Sequence, residues 1–218
     1  MCALGVDIAQ GGSDMTTIAC RFDAWYAPLI CKPGAETPTP SSVTSLIIGN
    51  RRDNAAIVCD VGGGYGGGTI ERLRENGIAA TAFNGAHKAI GRTGDKALSF
   101  SNKRALSWWR FREALDPDQR DGSPICLPDD PALRADLAAP HWELTPRGIR
   151  IEEKDDIKKR IGRSPDRGDA VVMAWADGQM ALARGLGPAS RGGSQHSRPK
   201  YAIVGYSSQK ERRRRLRG

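Results

Sequence analysis

The chain has 218 residues, of which 33 are Lys or Arg and 25 are Asp or Glu, so its net charge is +8. This length predicts one domain with at most a small appendage. The sequence contains no apolar run of about 18 residues and no signal-peptide pattern, which argues against a membrane protein. Its five cysteines are widely spaced and lack a C-x-x-C motif, which favours free thiols in a reducing compartment over a zinc site or a disulfide framework.

The excess positive charge lies at the C-terminal end of the chain. Residues 186–218 hold nine Lys or Arg and one acid, which gives +8, whereas residues 1–185 hold 24 charges of each sign. We therefore expect a neutral body over residues 1–185 and a basic, flexible tail over residues 186–218. Such a tail is usually solvated, and its functional interpretation is a non-specific contact with nucleic acid or with an acidic partner.

The first part of the chain predicts strands with one intervening helix. The segment ALGVDI is apolar up to Asp7, and TTIACRF and AWYAPLI follow it with hairpin-like spacing. The segment VTSLIIGNRR is ambiguous between helix and strand, and we favour a helix because Ser41 or Ser42 can cap it. The next segment, AAIVCD, predicts a buried strand that ends at Asp60.

The second part of the chain alternates predicted helices and strands. TIERLRENG predicts a helix closed by Gly77, IAATAF a strand, and SNKRALSWWRFREAL a helix capped by serine. HWELTPRGIRIEE predicts a β-hairpin over about 141–152, KDDIKKRIG a short basic helix, and SPDRGDAVVMAWADGQMALARG a final helix with Ser164 as N-cap and Pro165 in its first turn. This order predicts an α/β fold whose mixed sheet combines an antiparallel three-strand meander with parallel strands, flanked by helices.

The glycine-rich segment after Asp60 raises the question of a dinucleotide site. Gly62, Gly64 and Gly67 match G-x-G-x-x-G, but that fingerprint needs an acid about 20 residues further on. The residues near that distance, 83–88, read FNGAHK and contain no carboxylate. Asp60 would also place a negative charge where the diphosphate has to lie, so the sequence argues against a cofactor cradle.

Three apolar elements begin or end at an acid beside glycine. Asp7 and Asp60 end two buried strands, and Asp166 and Asp169 share a face at the start of the last helix, where the helix dipole favours negative charge. If the strands are neighbours, the carboxylates repel unless a divalent cation binds between them. Each acid alone is an ordinary strand-end or capping residue, but together they predict a cluster that ligates Mg²⁺ or Mn²⁺.

Three segments in order resemble the nuclease domain of the large terminase subunit of tailed double-stranded DNA bacteriophages: GVDIAQGGSDMTTIA, IVCDVGGGYGGGTIERLRENG and KDDIKKRIGRSPDRGDAVVMAWA. The similarity runs from about residue 3 to residue 178. It implies a ribonuclease H-like fold and a phage or prophage endonuclease that cuts concatemeric double-stranded DNA in the cytoplasm of a bacterial host. It matches Asp7, Asp60 and Asp169 with the family's catalytic acids on the first strand, the fourth strand and the final helix.

The resemblance also indicates how the metal ions are held. Two ions are expected, with Asp7 bridging both, Asp60 completing one site and Asp169, together with Asp166, the other. Asp166 matches a position that carries another acid or a histidine in relatives. Asp14 in the GGSD turn is common in the family. We expect it to shape the turn or to hold a metal-ligating residue in place without contacting the metal itself. His87 and His141 lie outside the motifs.

The expected partners are duplex DNA and the remainder of a packaging motor. Large terminases carry an ATPase domain whose phosphate loop needs G-x-x-x-x-G-K-[ST], and no segment matches it. We therefore expect an isolated nuclease domain that cuts without translocating, and that works with an ATPase domain, the small terminase subunit and the portal. Because the body is neutral and the site acidic, DNA has to be held by local cations, for which the candidates are Arg147, Arg150, Lys158, Lys159, Arg160, Arg163 and Arg167.

Other functions share some of these features. A Holliday-junction resolvase or another ribonuclease H-like nuclease would carry the same acids and differ in its substrate. The segment DVGGGYGGGT is also similar to the phosphate loops of actin-like and sugar-kinase ATPases, which need a second domain and an adenosine site. A binding or scaffolding protein would keep every activity when the three aspartates are replaced.

Overall fold

A mixed β-sheet forms the centre of the fold. The computed structural model describes residues 1–9, 11, 13–119 and 122–178, and within them the strand order is β3–β2–β1–β5–β6, with β4 also paired to β2. β2 is antiparallel to β1, β3 and β4, whereas β1, β5 and β6 are parallel. This confirms the predicted meander followed by parallel strands. The strands are β1 (Ala3–Asp7), β2 (Met15–Phe22), β3 (Trp25–Tyr26), β4 (Ile30–Pro33), β5 (Ala56–Asp60) and β6 (Thr81–Phe83).

The third strand of the predicted meander is divided into β3 and β4. Both pieces pair with β2, and Pro28 lies in the gap between them. Because proline has no N–H to donate to a strand ladder, it interrupts the pairing at this point. The predicted boundary near residue 185 and the predicted tail lie outside the described residues.

Six helices flank the sheet in the described part of the chain, and none of them is long and apolar enough to cross a bilayer. The ambiguous segment is a helix, as predicted, but its N-cap is Thr39, which forms a reciprocal capping box with Ser42. Asn102, not a serine, caps α3, and Pro165 occupies the N-cap position of α6, so Ser164 is not the cap. The helices are α1 (Pro40–Asn50), α2 (Gly66–Glu75), α3 (Lys103–Leu115), α4 (Pro131–Ala138), α5 (Lys154–Ile161) and α6 (Asp166–Ala176).

The predicted hairpin forms a separate two-stranded sheet, with β7 (Trp142–Thr145) antiparallel to β8 (Gly148–Ile151). It is attached to the body through Ile149, whose N–H donates to the carbonyl of Ser99 at 2.9 Å. Gly148 has a φ of +103°, and a Cβ there would lie 2.3 Å from that same carbonyl oxygen. Glycine is therefore required where the hairpin meets the chain before α3.

The two faces of the sheet are covered by different helices. Leu4 and Val6 of β1 pack on the side of α1 and α2, and the alternation of a strand turns Gly5 and Asp7 toward α6. A Cβ on Gly5 would lie 2.0 Å from the carbonyl oxygen of Ala170. The last helix therefore lies directly on β1 because residue 5 has no side chain.

Buried side chains from the meander also hold the last helix. Arg21 Nε donates to the carbonyl of Ala174 at 2.9 Å, and the Tyr26 hydroxyl donates to the carbonyl of Val171 at 3.0 Å. Both side chains are fully buried. The position of α6 along the sheet is thus fixed by specific hydrogen bonds as well as by apolar packing.

Candidate metal centre

Asp7 and Asp60 end two neighbouring parallel strands at the same edge of the sheet. β1 and β5 pair with Val6 opposite Cys59, so Asp7 and Asp60 follow at matching positions. Val58, two residues before Asp60, packs against α6, and side chains two apart in a strand share a face. Both carboxylates therefore face the helix that carries the other predicted ligands.

The first turn of α6 brings in two further carboxylates, as the spacing predicted. Asp166 and Asp169 are both buried. The indole Nε1 of Trp108 donates to Oδ1 of Asp169 at 2.9 Å, and Arg104 Nη2 lies 3.4 Å from the same oxygen. The backbone N–H of Met15 donates to Oδ2 of Asp166 at 3.1 Å. Both acids are thus oriented by neighbouring groups that the sequence did not identify as part of the site.

A lysine that the sequence analysis did not select lies among the carboxylates. Nζ of Lys154, the first residue of α5, is 2.7 Å from Asp7 Oδ2, 3.3 Å from Asp166 Oδ1 and 3.5 Å from Asp169 Oδ2. The only signal for it was its place in the segment KDDIKKRIG, which gave it no more weight than the lysines that follow. Its importance comes from the tertiary structure, because Asp7 is 147 residues away in the chain.

Burial and like charges control the protonation of this cluster. Burial raises the pKa of Asp7 well above its usual range, and Asp166, Asp169 and Asp60 add to that shift while Lys154 opposes it. Burial by itself would lower the pKa of Lys154, but Asp7 and the acids of α6 outweigh it and hold that pKa well above its ordinary value. The ammonium is therefore firmly charged and is the counter-ion of the buried carboxylates.

The two other acids respond differently to their surroundings. Burial raises the pKa of Asp60, although a hydrogen bond of 2.8 Å from the backbone N–H of Gly62 opposes the shift. Burial acts on Asp169 in the same direction, but Arg104, the central lysine and the indole N–H of Trp108 together lower its pKa below the ordinary value. Asp169 is thus the acid that these donors keep ionised.

The chemistry of the donor set fits a divalent cation. Carboxylate oxygens are the hard ligands that Mg²⁺ and Mn²⁺ prefer, and the four aspartates outnumber their two cationic neighbours, Lys154 and Arg104. In the described part of the chain, no three His, Cys, Asp or Glu side chains are arranged to hold a metal ion directly. Here the cation between the carboxylates is the Lys154 ammonium, so metal binding requires that side chain to move.

Two cavities open onto the carboxylates, and Asp60, Gly63 and Lys154 line both. The larger, of about 420 Å³, also contacts Asp169, and the smaller, of about 230 Å³, contacts Asp7. The glycine-rich segment forms part of their rim, where Gly62 and Gly63 present no side chain. The absence of a side chain is required at Gly66, where a Cβ would lie 2.0 Å from the carbonyl oxygen of Asp60.

Most of the predicted DNA-contacting cations have an acidic partner. Both carboxylate oxygens of Asp14 accept hydrogen bonds of 2.7 Å from Lys158, so Asp14 borders the smaller cavity as half of an ion pair. Arg147 has no ion pair within the described residues, and its DNA contact, like the others, stays a prediction. The remaining pairs are Arg150–Glu143, Lys159–Asp156, Arg160–Glu152, Arg163–Asp136 and Arg167–Asp130.

The sheet order, the helices on both faces and the acids at the edge of β1 and β5 define an α/β protein of the ribonuclease H-like fold. Comparison with solved structures agrees with this assignment. The chain is similar to the nuclease domain of the large terminase subunit gp2 of bacterial virus Sf6, with a TM-score of 0.61 and 20% identity over 78% of this chain and 86% of that chain. The predicted fold is therefore confirmed.

Two further structures of the Sf6 domain match over the same shares of both chains. A lysine-to-alanine variant with calcium has a TM-score of 0.60 and 20% identity, and a lysine-to-alanine variant with manganese has a TM-score of 0.55 and 18% identity. No family model matches the sequence, and the comparison with curated proteins finds no match. At these identities the similarity defines the fold.

Proposed function

We propose that this chain is a divalent-metal-dependent endonuclease that hydrolyses phosphodiester bonds in double-stranded DNA, and that it is the nuclease domain of a phage or prophage terminase. The observation that carries the proposal is the meeting of Asp7, Asp166 and Asp169 around one ammonium group, with Asp60 at the same sheet edge. The chain carries this arrangement on a fold similar to that of the Sf6 nuclease domain, which supports the proposal.

We assign Asp7, Asp60, Asp166 and Asp169 as the residues that would hold two Mg²⁺ or Mn²⁺ ions. When bound, such ions lower the pKa of a water molecule and stabilise negative charge on the phosphate and on the leaving oxygen. The hard oxygen donors and the excess of carboxylates over neighbouring cations support this assignment, as do the calcium and manganese in the Sf6 structures.

Neighbouring side chains and a backbone N–H orient the proposed metal ligands and set their charge. Arg104 and Trp108 hold Asp169 ionised and oriented, and the Met15 N–H orients Asp166. Lys154 neutralises the cluster, and its ammonium would have to withdraw for a divalent cation to bind. The bare rim formed by the glycines after Asp60 leaves room for a duplex backbone to approach the carboxylates.

In a packaging motor, the substrate would be concatemeric DNA, and the partners would be an ATPase domain, the small terminase subunit and the portal in the host cytoplasm. The name of the Sf6 protein supports this setting. Residues 1–185 would form the nuclease domain, and the basic residues of 186–218 would add sequence-independent phosphate contacts.

Nicking of supercoiled plasmid tests the proposal, using the full chain with Mg²⁺, with Mn²⁺ or with EDTA. We expect metal-dependent nicking that falls by about 100-fold or more in Asp60→Asn, because that variant loses a charged ligand. Glu71→Gln removes a carboxylate from the exposed side of the adjacent helix α2 and should nick like the wild type. Nicking in EDTA, or a wild-type rate in Asp60→Asn, would refute the metal-nuclease function.

The class of substrate is tested with a linear duplex and a four-way junction built from the same arm sequences. The proposed function predicts that the linear duplex is cut at least as fast as the junction. Cleavage confined to the junction would assign the chain to the resolvases.

A further inference from the structure

Four exposed cations without an ion pair to another described residue lie outside the hairpin and α5, where Arg147 is the one predicted DNA contact that is likewise unpaired among the described residues. They lie on the loop between β6 and α3, at Lys88, Arg92 and Lys96, and on α3 at Arg110; we call these four residues the basic face. All four are exposed, and none forms an ion pair with another described residue. Residues 84–112 hold seven Lys or Arg and one acid within a body that is neutral overall.

The acids nearest to the basic face are occupied by other donors. Asp95 accepts a hydrogen bond of 3.0 Å from the N–H of Ala97 and another from the Thr93 hydroxyl. Glu113 accepts from the N–H of Gly94 at 2.8 Å and from the indole of Trp109 at 3.0 Å. Neither acid forms an ion pair with the four cations, which are exposed to solvent.

The basic face is fixed to the body by hydrogen bonds. Arg110 Nη2 donates to the carbonyl of Arg92 at 3.1 Å, and Arg92 Nη1 donates to the carbonyl of Lys96 at 3.3 Å. A Cβ on Gly91 would lie 3.1 Å from the side chain of Leu106, so the loop lies closely along α3. Its cations therefore keep a defined arrangement, which lowers the entropic cost of contacting a rigid partner.

The loop that carries the basic face begins at the rim of the larger cavity. Asn84 and Gly85, the first residues of the loop, line that cavity together with Asp60 and Asp169. The carbonyl of Gly85 accepts the backbone N–H of Arg104, which lines the same cavity, at 2.9 Å. Arg110 lies six positions after Arg104 on α3, which is about 9 Å along the helix axis, or about three base pairs of a duplex.

We infer that the basic face binds the phosphate backbone of duplex DNA beside the carboxylate cluster and provides the main sequence-independent affinity of the folded body. The inference rests on the proposed nuclease function. A phosphate that binds Arg163 or Lys159 has to compete with an acid already in contact with that side chain, whereas a phosphate that binds the basic face displaces only counterions. The basic face thus provides phosphate contacts that continue from the acidic site along one DNA strand.

The salt dependence of DNA binding tests this inference. Binding of an end-labelled duplex of about 30 base pairs is measured by fluorescence anisotropy in EDTA, between about 50 and 200 mM NaCl. The test variant of the full chain is Lys88→Gln, Arg92→Gln, Lys96→Gln, which leaves Arg110 and its bond to the loop in place. The control is Arg52→Gln, Arg72→Gln, Arg74→Gln, with the same charge change on exposed residues that precede β5 or end α2, opposite to the Asp60 edge.

We expect the test variant to lower the slope of log K against log[NaCl] by about 2 to 3 and to weaken binding more than about tenfold. The control should keep a slope close to that of the wild type. A wild-type slope in the test variant, or an equal loss in the control, would overturn the inference. Thermal melting of all three proteins establishes that the substitutions leave the fold intact.

Plasmid nicking by the same proteins separates the two proposals. If the wild type nicks and the test variant keeps the wild-type salt slope, the inference that the basic face binds DNA is wrong and the nuclease function stands. If no metal supports nicking by the wild type while the slopes differ as expected, the nuclease function fails and the DNA-binding face stands.

Discussion

The ammonium nitrogen of Lys154 lies 2.7 Å from Oδ2 of Asp7, although 147 residues separate the two in the chain. Oxygens of Asp166 and Asp169 lie within 3.5 Å of the same nitrogen. The lysine therefore supplies the positive charge that allows the acids to be buried together. A divalent cation has to compete with it for the same oxygens.

Replacing Lys154 with methionine should strengthen metal binding. The variant removes a positive charge from beside the carboxylates, and we expect the affinity for Mn²⁺, measured by titration calorimetry, to rise about tenfold or more. In EDTA its melting temperature should fall, because the acids lose their counter-ion, and Mn²⁺ should restore it. Lys159→Met, on the same helix but exposed and paired with Asp156, should bind Mn²⁺ like the wild type. Unchanged affinity in Lys154→Met would show that the ammonium does not compete with the metal.

Adding one methyl group at Gly5 should displace the last helix. Because its Cβ would lie 2.0 Å from the carbonyl oxygen of Ala170, we expect Gly5→Ala to lower the free energy of unfolding in urea by about 2–3 kcal/mol. The Mn²⁺ affinity should fall as well, since α6 carries two of the assigned ligands. Gly49→Ala in α1 meets no atom within 4 Å and should be neutral or stabilising. Equal stabilities of the two variants would contradict this account of how α6 packs.

Removing the indole donor to Asp169 should change the pH dependence of metal binding. The N–H of Trp108 lowers the pKa of Asp169, so Trp108→Phe should raise that pKa and make protons stronger competitors. The pH below which Mn²⁺ binding is lost should therefore move upward, by up to about one unit. Trp109→Phe loses a similar bond, to Glu113, and serves as the matched control. A shift of the same size in both variants would rule out a specific effect on Asp169.

The ion pair between Glu152 and Arg160 should stabilise the fold at neutral pH and lose this effect at strongly acidic pH. Arg160 contacts both oxygens of Glu152 and holds the pKa of that carboxyl at about 2, against an ordinary value of 4.5. The folded-state pKa is the lower one, so the stabilisation is present above pH 4.5 and fades as the pH falls toward 2. Urea unfolding should show Glu152→Gln about 1–2 kcal/mol less stable at pH 7.

The same difference should persist at pH 5 and nearly vanish at pH 2. Glu143→Gln, which breaks a pair exposed by more than half on both sides, should cost less than about 0.5 kcal/mol at any pH. A stability gap for Glu152→Gln that is independent of pH would argue against an ionic origin.

Local patterns in the sequence predicted the strands of the sheet and its mixed character, an antiparallel meander followed by parallel strands. Apolar runs ending at Asp7 and Asp60 located β1 and β5, because a buried strand needs only neighbouring residues to be recognised. Helix starts were placed less well, since several polar residues can compete to cap the first turn. Thr39 does so for α1 and Asn102 for α3. The α4 helix had a usable signal in Asp130 followed by proline, which the sequence analysis did not apply.

The convergence of the acids was also predictable, but the groups around them were not. Parallel strands end at one edge, so Asp7 and Asp60 had to be close once their strands were neighbours. Lys154, Arg104 and Trp108 reach the cluster from helices whose placement depends on the whole core, and no short-range spacing encodes such contacts. The structure establishes where the acids lie, and their binding of a metal ion is a separate property. The assignment of the acids as metal ligands therefore stays a prediction.

The order in which the chain is synthesised has a consequence for this site. Asp7 belongs to the first strand, and Asp169 belongs to a helix that covers that strand at Gly5 and is held by Arg21 and Tyr26. A nascent chain still lacking residues 166–176 has two of the four acids and an uncovered apolar sheet face. Because the helix that closes the core also brings the remaining acids, the carboxylate cluster cannot assemble on a ribosome-bound fragment before its fold is finished.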